Sequence, residues 1–303
     1  MICAAIGVVS LPVSTAFAAP DAAKIAERKA RKSQAVGEKV GKAIGKAYEL
    51  YGANQIAEAI AILEPLEPTN AFDKAYLARF LGSLYVEKNP EKAIKYLKEA
   101  IKPDILSFTD QAAALRNLAD LSIMAKKYQD AIGYYNKWLD FTGELDPNVE
   151  MRIANCFYEM KQFNKVIAPA DRAIAHFKEP KKEPYIMKYA SYYELKQTKK
   201  VIEVLEEAVV IFPKEKTFWV QLGNFYSADE QFAKALAVID MAYKQGYLTT
   251  ENEIKLLANL YNNNNVPYKA AATLEKHMKS GLVKKDRAIL MRIVSSYNSS
   301  GQF

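Results

Sequence analysis

The sequence predicts an all-α protein, a right-handed α-solenoid of antiparallel helix pairs. Three observations carry this. First, 50% of the 303 residues are hydrophobic and 25% charged, with Gly and Pro at 12 each, which supports a large folded core and lacks the turn residues an all-β chain needs. Second, a small or branched residue recurs as Ala59, Ala93, Ala131, Val166, Val201, Ala235 and Ala270, at spacings of 34, 38, 35, 35, 34 and 35. Third, an earlier position reads Ala47, Gly82, Ala119, Ala154, Tyr189, Gly223, Ala258 and Val294. Three residues beyond it stand Leu50, Tyr85, Ser122, Phe157, Tyr192, Tyr226, Tyr261 and Tyr297. A period of this length marks one supersecondary unit repeated along the chain.

Taken in order, residues 1–18 read as a secretory signal peptide. An apolar stretch runs to Leu11, and Ala16-Phe17-Ala18 gives a small-x-small cleavage site. No Lys or Arg precedes the apolar stretch, so the natural start is expected a few codons upstream, or the chain is a fragment. An uncleaved anchor is the competing reading, disfavoured because the stretch is too short to span comfortably. The mature chain is then expected to carry no transmembrane span, to be periplasmic, and to keep one thiol, Cys156. Two cysteines in all exclude a disulfide framework.

Residues 19–34 form a basic leader. From Asp21 to Lys46 there are eight Lys/Arg against three acids, so five of the seven net positive charges sit there. The reading is a solvated linker, with weak contact to an anionic envelope surface as its functional alternative. The near-neutral remainder argues against nucleic acid as a partner.

Residues 35–303 hold the repeats, seven of them and part of an eighth. Each unit reads as two antiparallel helices about 8–10 Å apart, so small residues are needed where the backbones approach. Gly223 and Ala235 supply them, and Tyr226 and Ile239 fill the wedge beside them. Each pair leaves one apolar face that only its neighbour covers. Pro68, Pro103, Pro147, Pro180 and Pro213 fall at or near unit ends. Three departures stand out. Tyr189 replaces a small residue. Pro169 lies inside a second helix and is expected to kink it or delay its start. FTGELDP lengthens the turn after the third unit, so a change of curvature is expected around residues 141 to 185. The ending YNSSGQF falls at the turn within the eighth unit, so the natural chain is expected to be longer.

No enzyme signature appears. GEKVGKAIGKA spaces its glycines by three, not the four of a phosphate loop, and lacks the hydroxyl residue. Gly37, Gly41 and Gly45 instead form one helical stripe suited to close packing. His176 and His277 are the only histidines, far apart, and no metal or other cofactor is expected. Cys156 lies in a core pattern.

The residues WVQLGNFY, followed by Ala235, Ile239 and Ala242, resemble the tetratricopeptide repeat family, and the likeness runs in phase over roughly residues 35 to 303. The resemblance implies a non-enzymatic scaffold whose concave groove binds a partner protein or an extended peptide. Carried onto this chain, the groove positions are Tyr76, Arg79 and Ser83, then Arg116, Asp120 and Ile123, then Met151, Asn155 and Tyr158. Ile186, Tyr193 and Asn224 follow, with Lys255, Asn259 and Asn262 in the last complete unit. Asn155, Asn224 and Asn259 share one offset, and an amide can pair with one peptide unit of a ligand. Lys255 with Asn259 resembles part of the family's carboxylate clamp, without the rest of it.

The run ENEIKLLANLYNNNNVPYKAAATLEKHMKSGLV, with the signal peptide and leader, is similar to the exported members that accompany TonB energy-transducing systems of Gram-negative bacteria. That resemblance implies an accessory of iron–siderophore uptake contacting TonB-system components, whose Pro-rich segments are already stiff. The alternatives are a scaffold for peptidoglycan or outer-membrane assembly, or the repeat portion of a longer enzyme.

Overall fold

The computed structural model describes residues 21–301, so the signal-peptide reading lies outside the described residues. These residues hold sixteen α-helices and no strand. The chain divides into two compact units at Leu145/Asp146, inside the lengthened turn.

The first unit opens with α1 (Ala22–Ala30). It continues as three pairs: α2 (Glu38–Gly52) with α3 (Ile56–Leu63), α4 (Ala71–Tyr85) with α5 (Pro90–Ile101), and α6 (Phe108–Met124) with α7 (Tyr128–Thr142). The second unit holds four pairs. These are α8 (Pro147–Glu159) with α9 (Phe163–His176), α10 (Lys182–Glu194) with α11 (Thr198–Ile211), α12 (Lys216–Ala228) with α13 (Phe232–Lys244), and α14 (Glu251–Asn263) with α15 (Pro267–Lys279). The last helix, α16 (Arg287–Ser299), packs on α15. Within each unit the second helix of a pair packs on the first helix of the next, so the stacking follows chain order. The expected all-α array of helix pairs is therefore present, with seven pairs in the expected register.

The small positions are where two backbones meet. Ala47, Ala119 and Ala154 are fully buried, as are the openers Ala59, Ala93, Ala131, Val166, Val201, Ala235 and Ala270. A Cβ on Gly82 would stand 2.7 Å from Leu97 Cγ, and one on Gly223 would overlap the Ile239 side chain. Val294, the same position on α16, is exposed because no described helix follows to cover it.

One turn recurs inside the pairs. Asn54, Lys126, Lys161, Lys196, Glu230 and Asn265 each sit seven residues past the small position with φ between 56° and 60°. The amide three residues after a helix ends then bonds back to the carbonyl of the aromatic position, as in Gln162 to Phe157 (2.9 Å) and Gln231 to Tyr226 (2.8 Å). In the second pair, Asn89 does this work differently, capping α5 through its side chain ahead of Pro90. First helices start on side-chain caps at Asn70, Ser107, Asp146, Thr250 and Asp286.

Three expectations need correction. Pro169 does not delay its helix, because α9 runs unbroken from Phe163 to His176 with Pro169 buried. The carbonyl it leaves unpaired belongs to Lys165, which is exposed and so can be hydrated. The stripe Gly37–Gly41–Gly45 does not pack closely, since a Cβ on Gly45 would meet nothing within 4 Å. Only Gly37 touches another element, donating its N–H to buried Asp73 at 3.0 and 3.2 Å. The leader, read as a solvated linker, instead forms α1 and packs on α6 and α7. Arg28 donates to Asp140 O (2.7 Å) and Arg31 to Asp104 O (2.7 Å). Both guanidinium groups lie over the Phe141 ring, at 5.0 and 5.9 Å. Ile25 occupies the space left by Gly143, whose φ of 68° ends α7. Composition reported the charges but not the acids, 73 and 112 residues away, that receive them.

Candidate functional site

The second unit brings part of the expected groove together. A cavity of about 340 Å³ lies between the first helices α10 and α12. Tyr193 and Asn224, both expected, line it with Tyr189, Ala190, Gln221, Phe225 and Ala228. Tyr193 is 52% exposed, and its ring meets Phe225 edge-on at 5.7 Å. Lys196 stands over the same ring at 5.2 Å. Tyr189 meets Phe218 edge-on at 6.5 Å, and burial holds its phenol above the usual range. The charge of Tyr158 on α8 adds to that shift. The result is an aromatic wall with two amides, Gln221 and Asn224, beside it.

Why it forms here follows from two residues. Tyr189 is too large for the small-residue position and is half-buried rather than buried. Ala190 stands where three other units carry Asn155, Asn224 and Asn259, so the residue beside Tyr189 offers only a methyl group. The sequence showed Tyr189 as a departure. Its meaning required knowing that Phe225, from the following pair, would line the same cavity.

The other expected residues divide. Met151, Asn155 and Ile186 are half-buried on their helices, with Ile186 packed against the core. Tyr158 meets Phe163 of its own pair edge-on at 5.3 Å. Asn259 and Asn262 are exposed but engaged by α16. Arg292 donates to Asn259 Oδ1 (3.1 Å), and Asn262 donates to Ser296 Oγ (3.1 Å). Asn262 also lines a polar cavity of about 470 Å³ with Asn265, Ser295, Ser296 and Ser299. Lys255 pairs with Glu251 one turn away (2.5 Å), so its charge is matched within α14. In the first unit, Arg79 pairs with Asp110 (3.3 Å) and stacks over Tyr76 at 5.2 Å. Arg116 stacks on Trp138 at 5.4 Å, and Asp120 accepts from the Tyr135 hydroxyl. Those polar groups tie helices to one another. Ser83 is exposed but bonds back to Arg79 O (3.1 Å), and Ile123 is half-buried.

One recurrent element was missed. A tyrosine on the first helix of a pair donates to an acid on, or capping, the second helix of the pair before it: Tyr85 to Glu64 (2.9 Å), Tyr226 to Glu206, Tyr261 to Asp240, and Tyr297 to Glu275 (2.8 Å). A lysine just before the opener stands over the ring: Lys92 at 4.8 Å, Lys234 at 5.3 Å and Lys269 at 5.7 Å. Burial and the Glu206 bond push the Tyr226 phenol up to about 12. The Glu275 bond, then burial, does the same for Tyr297. The signal was legible, because Lys precedes the opener at Lys92, Lys165, Lys200, Lys234 and Lys269.

Among the described residues no group of His, Cys, Asp and Glu is placed to hold a metal. His277 bonds to the Tyr243 hydroxyl (2.9 Å), and burial keeps its pKa below the ordinary value. Cys156 is buried and its thiol is pushed up to about 11, chiefly by burial, which is the chemistry of a core residue. No described helix is long and apolar enough to cross a membrane.

No family model matches the chain, and no curated protein matches it. Among solved structures, it is similar to a tetratricopeptide repeat protein from Parabacteroides merdae at 15% identity and a TM-score of 0.47, over 86% of this chain and 100% of that one. It is similar to YrrB, described as a TPR protein with an unusual peptide-binding site, at 16% identity and 0.46, over 67% and 100%. It is also similar to MamA from Desulfovibrio magneticus RS-1 at 20% and 0.43, over 58% and 96%. The helix-pair architecture of this chain stands on its own pairs and their register.

Proposed function

We propose that this chain is a non-enzymatic scaffold that binds an extended peptide segment of a partner protein across the first helices α10 and α12. One observation carries the reading: exposed and half-buried rings of Tyr189, Tyr193 and Phe225 share a cavity with the amides of Gln221 and Asn224. Aromatic walls receive a stiff extended chain at small entropic cost, and amides pair with its peptide groups without reading sequence. A Pro-rich segment has both properties. The finer reading, which rests on the resemblance drawn from the sequence, is a periplasmic accessory of a TonB-dependent uptake system.

The test is a fluorescence-anisotropy titration of the full chain with a Pro-rich peptide and a Gly/Ser-rich control. The Pro-rich peptide is expected to bind, and Tyr193→Ala with Asn224→Ala to weaken it by about tenfold or more, since each stacked or desolvated contact is worth roughly 1 kcal/mol. Equal binding of both peptides, or no loss in the double variant, contradicts the reading. Co-purification with TonB-system proteins rather than wall-synthesis proteins separates the two envelope assignments.

A further inference from the structure

A second cavity, of about 720 Å³, lies in the first unit and is lined by α5, α6 and α7 and by Arg28 of α1. It shares no residue with the α10/α12 cavity. Four cations line it, Arg28, Lys98, Lys102 and Lys137, against two acids, Asp104 and Asp140. Both acids are already held, Asp140 by Arg28 (3.3 Å) and Asp104 by Arg31 (2.9 Å). The three lysines have no ion pair within the described chain. Lys98 and Lys137 both stand over the Tyr134 ring, at 6.0 and 5.5 Å. Gln111 is 4% exposed. Its Nε2 donates to Ile101 O (3.0 Å), while its buried Oε1 receives no bond from the protein.

We propose that this cavity is a docking site for an acidic peptide segment, independent of the α10/α12 groove. Side-chain carboxylates meet Lys98, Lys102 and Lys137, and a backbone N–H of the segment meets Gln111 Oε1. The charge surplus selects an anion, and the unpartnered amide oxygen selects one that also brings a donor. Phosphate esters ionised at neutral pH offer acceptors and no such donor. Every aromatic ring in the cavity already carries a cation, Tyr134 from the lysines and Phe141 from Arg28, so a nucleobase finds no uncovered stacking partner. An extended acidic chain supplies carboxylates and N–H groups together at the spacing of a strand.

The test uses the full chain and a fluorescent oligoglutamate peptide in an anisotropy titration at low and physiological salt. Saturable binding is expected, weakened by salt and reduced about tenfold or more by Lys98→Gln, Lys102→Gln and Lys137→Gln together, since three partly exposed ion pairs act in concert. Tyr193→Ala with Asn224→Ala is expected to leave it unchanged, which separates this site from the groove. A backbone N-methylated oligoglutamate is expected to bind more weakly than the parent, through the lost donor to Gln111. Replacing the three lysines by Glu is expected to create binding to oligolysine in a variant whose helical circular dichroism is unchanged. Absence of saturable binding, indifference to the lysine substitutions, or tighter binding of tripolyphosphate than of the peptide overturns the proposal.

Discussion

Gly223 carries the packing logic at the residue scale. Its missing side chain is the space that Ile239 fills. Gly223→Val is expected to lower stability by about 1–3 kcal/mol through overpacking, read as a shift of the urea midpoint at unchanged slope. An unmoved midpoint sinks this account of the small position. Ile239→Val in the same chain is expected to recover part of the loss, as contacting residues couple. The recurrent left-handed turn gives the opposite prediction. Glu230 holds φ at 58° without the freedom of glycine. Glu230→Gly is therefore expected to raise stability by about 0.5–1 kcal/mol, relieved strain outweighing added chain entropy. A lower melting temperature in that variant contradicts it.

At the scale of elements, four tyrosine–acid bonds join one pair to the next. Tyr226→Phe removes one such bond and leaves Glu206, which is exposed, to water. The expected cost is about 0.5–1.5 kcal/mol, the net worth of one hydrogen bond. These bonds also predict an alkaline limit. Tyr226 and Tyr297 have folded pKa values of about 12, above the ordinary phenol value of 10.0. A raised pKa means their contribution is complete below pH 10 and is lost as pH rises through 12. On the acid side, Glu64 and Glu275 are held low by bonds to Lys92 and Tyr85, and to Lys279 and Tyr297. Their contribution is present above the ordinary carboxylate range and fades as pH falls through the lowered values. Urea unfolding between pH 7 and 12 checks the alkaline arm, which Tyr226→Phe should flatten. The helices themselves were readable in advance because their small residues and openers repeat in phase. Helix α1 was not. Its charges looked like a solvated run, and docking depends on Asp104, Asp140 and Phe141, which no local pattern connects to Arg28 and Arg31. The same limit hid the cavity beside Tyr189, since Phe225 reaches it only through stacking.

At the scale of the molecule, the described chain forms two compact units that meet in sequence at Leu145/Asp146. Within each, a helix pair keeps an apolar face that its neighbour covers, so stability is expected to spread from pair to pair. In hydrogen exchange, Gly223→Val should lower protection across α10 to α15 before it affects α4 to α7. Equal loss everywhere contradicts that locality. The functional claim rests on a different prediction, that the α10/α12 cavity is where a partner lies. Its most direct measurement places a photo-crosslinking amino acid at Ala190, which lines the cavity, and in a second protein at Val210, which is 78% exposed on α11. With a Pro-rich peptide present, crosslinking is expected at position 190 and not at position 210. Crosslinking at 210 alone, or equally at both, contradicts the account.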